Sequence, residues 1–240
     1  MTYRPREFWQ QRLSEQFDLR GTGEPGLSLA FNREAYALRR EVLDRALARA
    51  RVTLAGRRVL DVGCGTGFFT AYYVERGARV TGIDIAPASV ERLGARFPNA
   101  RFLLADVSEA QLEERYDVVN AFDVLYHITD DARWERALRT LARAVALGGV
   151  LLVTDLFAER PGLADHNVIR GLDRYRTVIE AEGLRVEALH PTHVLLNREL
   201  GAFRFLNRAP SLLHAADRVL LAMGFGQDGG TNKLLVARAG

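Results

Sequence analysis

The residues from Val59 to Phe68 carry the pattern most able to do specific chemistry. They read VLDVGCGTGF, an apolar strand that runs into alternating glycines and then into the expected start of a helix. Glycines allow a tight turn and a close approach of the backbone to a ligand, and a helix N-terminus attracts negative charge. Asp61, just before the turn, would repel a phosphate and attract a cation. The pattern predicts a ligand with both an ammonium and a carboxylate group.

The spacing of these glycines argues against a dinucleotide. Nicotinamide cofactors favour G-x-G-x-x-G, in which the third glycine allows the helix to pack closely. Here Phe68 stands where that pattern requires glycine. A nicotinamide oxidoreductase is therefore disfavoured.

Two further acidic residues follow the next expected strands. Asp84 ends the second strand, where a carboxylate can accept both hydroxyls of a ribose. Asp106 follows the third strand, where a carboxylate can accept the amino group of an adenine. With the glycine loop, these positions predict an adenosine with an amino-acid tail and no phosphates.

This combination resembles the class I S-adenosylmethionine-dependent methyltransferases, of the bacterial small-molecule type. The motif VLDVGCGTG carries the resemblance together with Asp84 and Asp106, and it is strongest over residues 56–156. The segments YDVVNAFDVLYHI and LGGVL resemble the fourth strand of that family and its turn into the fifth. The resemblance implies S-adenosyl-L-methionine as cofactor and S-adenosyl-L-homocysteine as product.

The resemblance also implies the fold. Strand and helix signals alternate over 56–156, which predicts an α/β protein whose parallel sheet is covered on both faces. The family has a Rossmann-like, mostly parallel sheet of seven strands in the order 3-2-1-4-5-7-6, and Lys233–Ala237 can supply the antiparallel seventh. We expect an N-terminal helical cap at 1–55 and a methyltransferase domain at 56–240, with a lid-like insertion at about 190–231 before the last strand.

One helix of this domain is predicted from its apolar face and from the residues at its ends. The helix is predicted to begin near Asp130, and Trp134, Leu138 and Leu141 share one apolar face. Gly148–Gly149 is expected to end it.

The resemblance assigns cofactor contacts by position. Asp61 and the backbone of Gly63 and Gly65 would hold the methionine part, Asp84 the ribose and Ile85 one face of the adenine. The whole expected cofactor set is Asp61, Gly63, Cys64, Gly65, Gly67, Asp84, Ile85, Asp106, Val107, Asn120, Ala121 and Phe122.

His127 is the candidate general base. It follows the fourth expected strand, at the end where ligands bind in open α/β sheets, and a histidine titrates near neutral pH. The alternative is that His127 packs or caps beside Asp130–Asp131. Four residues are expected near the substrate, namely Trp9, Tyr36, Tyr126 and Asp155.

Asp155 also raises a metal-dependent mechanism. Catechol-type methyltransferases place an Asp-Asn pair at the end of the fifth strand to coordinate magnesium, but Leu156 follows Asp155 here. We therefore expect no metal.

Composition narrows the class of partner. The 33 basic residues are spread among 30 acidic ones with no basic stripe, so nucleic acid is not expected. No stretch approaches the roughly 20 apolar residues that span a bilayer, and no apolar leader is visible, so we expect no membrane. One cysteine excludes an intrachain disulfide and favours a cytoplasmic location.

The sequence thus predicts methyl transfer to oxygen or nitrogen of a small-molecule acceptor, such as a secondary metabolite. Two alternatives stay open at this point: an RNA methyltransferase, and a protein that binds S-adenosylmethionine without catalysis. A homodimer is also left open.

Overall fold

The computed structural model describes residues 3–159, 164–196, 200–227 and 230–240. Within these ranges seven strands form one sheet. They are β1 Arg58–Val62, β2 Arg79–Asp84, β3 Arg101–Leu104, β4 Tyr116–Phe122, β5 Val145–Asp155, β6 Leu184–Pro191 and β7 Lys233–Ala239. Their order is β3-β2-β1-β4-β5-β7-β6, and β7 runs antiparallel to both of its neighbours. The predicted fold is confirmed.

Eight α-helices accompany the sheet in the same ranges. They are α1 Pro5–Glu15, α2 Leu19–Thr22, α3 Leu29–Arg49, α4 Phe68–Glu75, α5 Pro87–Arg96, α6 Asp131–Arg143, α7 Leu172–Ala181 and α8 Pro210–Ala222. Two 3₁₀ segments lie at Leu125–His127 and Gly201–Arg208. No described helix is long and apolar enough to cross a membrane.

Alternate residues of each central strand enter different cores. Leu60 belongs to the same core cluster as Trp134 of α6 and Tyr175 of α7, whereas its neighbour Val59 belongs to a second cluster with Tyr73 of α4. Successive side chains of a strand point to opposite faces, so strands buried on both faces need apolar residues at nearly every position. The sheet therefore holds its carboxyl-terminal edge rigidly in place.

The N-terminal helices pack directly on this frame. Val42 and Leu43 of α3 join the same core cluster as Val59 and Val150. Ser28 begins α3 by accepting a hydrogen bond from the backbone of Phe31 at 3.1 Å. Helix α1 packs on α5, and α8 packs on α3. The boundary at residue 55 stays a prediction.

The predicted end of α6 was wrong. Helix α6 ends at Arg143, and the two glycines lie inside β5. Val145 already pairs with Tyr116 of β4, while the next pairing joins Val150 to Val118, so extra residues loop out of the ladder. Gly148 adopts a positive φ of 72° there, which suits an irregularity in a strand.

The segment after β6 is anchored by one buried carboxylate. Residues 197–199 and 228–229 of the expected insertion lie outside the described residues. Asp217 of α8, fully buried, accepts hydrogen bonds from the backbone nitrogens of Val194, Leu195 and Leu196 at 3.0, 2.6 and 2.9 Å. Burial raises the pKa of Asp217, and these three bonds oppose that rise.

Replacing Asp217 with Ala should destabilise the fold, because buried N–H groups then lose their acceptor. We expect a loss of about 2–5 kcal/mol in the free energy of unfolding, measured by urea titration. The matched control is Leu212→Ala on the same helix, where the side chain is 72% exposed and the change should stay within about 0.5 kcal/mol. Equal effects of the two substitutions would contradict the anchoring role.

Candidate functional site

A cavity of about 280 Å³ opens at the carboxyl ends of β1, β2 and β4. Open α/β sheets bind ligands at this edge. Its wall combines the glycine loop, the ends of the neighbouring strands and the N-terminal helices. The lining includes Tyr3, Trp9, Thr22, Tyr36, Asp61, 63–66, Phe68, Phe69, 83–85, 105–107, 122–124, 127–130 and Arg133.

The glycine loop has no room for side chains at three places. Gly63, Gly65 and Gly67 have φ values of 67°, 52° and 80°, which L side chains rarely adopt. A Cβ on Gly63 would lie 2.3 Å from Val124, and one on Gly65 would lie 2.6 Å from Thr22. The first two glycines therefore let other segments close over the cavity. Gly67 instead serves helix packing.

Asp61 and Asp84 project from β1 and β2 into the same cavity. Asp61 accepts hydrogen bonds from Thr70 at 2.6 Å and from the Asn120 amide at 2.8 Å. Asp84 accepts from the backbone nitrogens of Gly65 at 2.7 Å and Ala86 at 2.9 Å. Burial raises the pKa of both carboxyl groups. A cationic ligand beside them would offset that cost.

An unpartnered oxygen lies behind Asp61. In the described structure, Asn120 Oδ1 is buried and has no hydrogen-bond partner, while its amide nitrogen holds Asp61. A buried acceptor without a donor is costly. The two carboxylates and the glycine loop together fit the ammonium-bearing tail and ribose of S-adenosylmethionine.

Asp106 lies at the third strand end, as the sequence analysis expects, but it is already engaged. Its Oδ1 accepts from the backbone and hydroxyl of Ser108 at 2.8 and 2.6 Å, and its Oδ2 accepts from Arg133 at 2.7 Å. Oδ1 thus uses both of its acceptor positions, whereas Oδ2 keeps a second lone pair for an adenine amino group. Arg133 lines the cavity and has no sequence signal of its own.

The structure separates the expected cofactor residues into two groups. Gly67, Asn120 and Ala121 do not reach the cavity surface, since Gly67 packs on Leu93 and Asn120 supports Asp61 from behind. The residues that line the cavity are Asp61, Gly63, Cys64, Gly65, Asp84, Ile85, Asp106, Val107 and Phe122. The cofactor contact expected of Gly67, Asn120 and Ala121 stays a prediction.

Cys64 is a packing residue of the loop. Its sulfur lies 3.7 Å from the Ser89 hydroxyl, and burial raises the pKa of its thiol well above the usual value. A thiol with a raised pKa is a poor nucleophile at neutral pH.

His127 lines the cavity and is held among aromatic rings. Its Nδ1 lies 3.2 Å from the backbone oxygen of His166, and the two imidazoles stack at 5.3 Å and 11°. The Trp9 ring meets His127 edge-on at 4.9 Å. A carbonyl oxygen only accepts, so Nδ1 carries the proton and Nε2 keeps a free lone pair. Burial lowers the pKa of His127 to about 4, so it is neutral at neutral pH.

Of the four residues expected near the substrate, two line the cavity and two do not. Trp9 and Tyr36 line the cavity, but Tyr126 and Asp155 do not. Tyr126 is buried against the His127 ring at 4.4 Å. Asp155 is fully buried and accepts hydrogen bonds from the hydroxyl of Tyr175 and from the backbone of Leu156. The expected substrate contact of Asp155 is therefore corrected, because its side chain is directed into the core.

No local sequence pattern predicts how the N-terminal helices pack against the glycine loop. Arg12 of α1 donates to the backbone oxygens of Gly21 at 2.7 Å and Gly23 at 2.8 Å, which holds α2 in place. Thr22 then meets the Tyr36 hydroxyl at 2.9 Å and lies 3.3 Å from the Thr66 hydroxyl. Contacts between distant segments bring these three hydroxyls together, so sequence spacing alone does not predict the cluster.

The chain belongs to a family of methyltransferase domains. The family model described as "Methyltransferase domain" matches residues 31–198. This range includes the glycine loop, the acidic strand ends and His127.

Curated relatives match a smaller part of the chain. The ubiquinone biosynthesis O-methyltransferase of Stutzerimonas stutzeri (strain A1501) is 39% identical over 99 residues, which are 38% of this chain and 42% of that protein. The match thus spans about two fifths of the length of that relative.

Solved structures share the fold over nearly the whole chain. Magnesium protoporphyrin IX methyltransferase from Synechocystis PCC 6803 with bound S-adenosylmethionine gives a TM-score of 0.65 at 16% identity, covering 99% of this chain and 98% of that one. The N-methyltransferase NodS from Bradyrhizobium japonicum WM9, in complex with S-adenosylhomocysteine, gives 0.62 at 18% identity, covering 97% and 98%. At these identities the likeness establishes the fold.

The state of His127 can be read directly. In ¹⁵N NMR of the histidine rings, we expect His127 to stay neutral, protonated on Nδ1, from pH 8 down to about pH 5, because burial holds its pKa near 4. His127→Gln identifies the resonance by its loss. A midpoint near 6.5, or a proton on Nε2, would contradict this arrangement.

Proposed function

We propose that the chain binds S-adenosylmethionine in this cavity and transfers its methyl group to an oxygen or nitrogen of a small-molecule acceptor. The observation that carries the proposal is that the carboxylates of Asp61 and Asp84 face one cavity beside the glycine loop. This arrangement favours a ligand with a cationic amino-acid tail and a ribose, and the charge of Asp61 would repel a pyrophosphate.

The donor supplies an activated methyl group with a good leaving group, so the protein mainly orients and desolvates. Glycines 63 and 65 let Val124 and Thr22 close on the cavity, which excludes water from the reacting atoms. His127 is placed to take a proton from the attacking group at Nε2. Its low pKa makes it a weak base, which suits a proton that leaves as the new bond forms.

The acceptor end of the cavity is chiefly aromatic. Tyr36, Phe69 and Phe122 form successive ring contacts, with centroids 6.1 and 4.6 Å apart. Flat walls of this kind favour a flat, mostly apolar acceptor. The names of the relatives include both O- and N-methyltransferases, which supports a choice between these two atoms.

Calorimetry with S-adenosylhomocysteine tests the proposal. The wild-type chain should bind this nucleoside, and Asp84→Asn should weaken binding about 10- to 150-fold, since a charge-assisted hydrogen bond is worth about 1.5–3 kcal/mol.

Asp44→Asn is the matched control, because Asp44 binds Tyr72 and Arg76 on the outer face of α3. It should leave the affinity unchanged. No binding by the wild-type chain would refute the proposal, and equal affinity of wild type and Asp84→Asn would remove Asp84 from the site.

A further inference from the structure

Asp123 enters the cavity at the end of β4 with an unusual backbone. Its φ is 59°, in the left-handed region that costs an L-residue roughly 1–2 kcal/mol. Within the described ranges, Arg51 and Phe157 are the other non-glycine residues with positive φ, and neither lines the cavity. A strained residue at a ligand site is a starting point for a hypothesis about function.

Three separate parts of the chain hold Asp123 in this conformation. Thr154 of β5 accepts from the Asp123 backbone nitrogen at 2.8 Å and donates to its carboxylate at 3.0 Å. Asn232, just before β7, donates its amide to the same carboxylate oxygen at 2.9 Å. Arg39 of α3 donates to the other oxygen in a partly buried ion pair. The surroundings thus determine both the backbone and the side chain.

These partners keep the carboxylate ionised. Burial by itself would raise the pKa of Asp123, but the Arg39 charge and the hydrogen bonds from Asn232 and Thr154 lower it below the usual value. Asp123 is therefore a poor proton acceptor and a good hydrogen-bond acceptor. This separates its role from that of His127.

The Asp123 carboxylate keeps hydrogen-bonding capacity, and Asp123 lines the cavity. A carboxylate offers about four acceptor positions, and the side chains of Thr154, Asn232 and Arg39 use three. Arg39 already balances its charge, so a second cation gains little there. The aromatic rings of Tyr36 and Phe122 line the same end of the cavity. The open position suits an O–H or N–H donor on a flat, otherwise apolar molecule.

We propose that Asp123 determines acceptor specificity by accepting a hydrogen bond from a hydroxyl or amino group of the acceptor, and that Arg39 and Asn232 are its positioning residues. This inference rests on the proposed function and names the acceptor class: a flat molecule with a donor group beside the atom that is methylated. The neighbouring donor binds Asp123, while His127 receives the proton of the attacking group.

Three probes test the proposal in the presence of saturating S-adenosylhomocysteine. They are 4-methylcatechol and 2-amino-4-methylphenol, which carry two adjacent donors, and 4-methylphenol, which carries one. Quenching of Trp9 fluorescence reports binding, because Trp9 lines the cavity. The wild-type chain should bind a probe with two donors at least about tenfold more tightly than 4-methylphenol, as expected for one further hydrogen bond to a charged group.

The variant Asp123→Asn should reduce that preference to about threefold or less, and its affinity for S-adenosylhomocysteine should stay within about twofold. The double variant Arg39→Met with Asp123→Asn removes both charges and tests the same loss without a stranded cation. Asn232→Ala should weaken the two-donor probes but not 4-methylphenol, which a purely structural role would not produce. The matched control is Asp117→Asn, which alters an aspartate paired with Arg57 at the other end of β4. It should change neither the affinity for the probes nor the affinity for S-adenosylhomocysteine.

The outcomes separate the inference from the proposed function. If S-adenosylhomocysteine does not bind the wild-type chain, the proposed function itself fails. If it binds but no two-donor probe is preferred, or none binds, the inference is overturned. A tenfold loss of S-adenosylhomocysteine affinity in the variants at residue 123 would assign Asp123 to the cofactor instead, and would also overturn it.

Discussion

The hydrogen bond from the Gly65 backbone to the Asp84 carboxylate is the contact on which the site depends. At 2.7 Å it joins the glycine loop after β1 to the end of β2. The backbone oxygen of Ile83 adds a second tie, because it accepts from the Gly63 nitrogen at 2.7 Å. A buried carboxylate is tolerated only when it is well hydrogen-bonded. The hydrogen bonding that stabilises the buried Asp84 carboxylate therefore also holds the glycine loop in its left-handed conformation.

Electrostatic cost and ligand choice follow from that arrangement. Asp61 and Asp84 face one cavity, and the charge of Asp84 adds to the burial that raises the pKa of Asp61. Asp123 adds a further carboxylate to the cavity wall, but Arg39 neutralises it. The cavity thus has an end that gains from a cation and an end that does not. This asymmetry gives the two ends different ligands, a cationic nucleoside tail and a neutral donor.

The sequence defines the parts of this site that local physics controls. The carboxyl ends of β1 and β2 were predicted, since the apolar runs end there in a glycine turn and in Asp84. The end of α6 was not, because the loop-out in β5 is set by pairing with β4. The ion pair between Arg39 and Asp123 spans 84 positions of the chain, so no local pattern contains it.

Asp123 and Asp155 show how one dihedral angle separates a core residue from a cavity residue. Both end adjacent parallel strands, and each follows by two positions a residue that faces α6 and α7, Ala121 or Val153. Strand alternation alone would direct both side chains toward that core. Asp155 obeys it and meets Tyr175. Asp123 leaves the alternation through its positive φ, and its side chain enters the cavity instead. Sequence spacing shows the alternation but not the angle that breaks it. Asp155 was expected near the substrate because of its place at the end of the fifth strand, whereas the structure places Asp123 at the cavity wall.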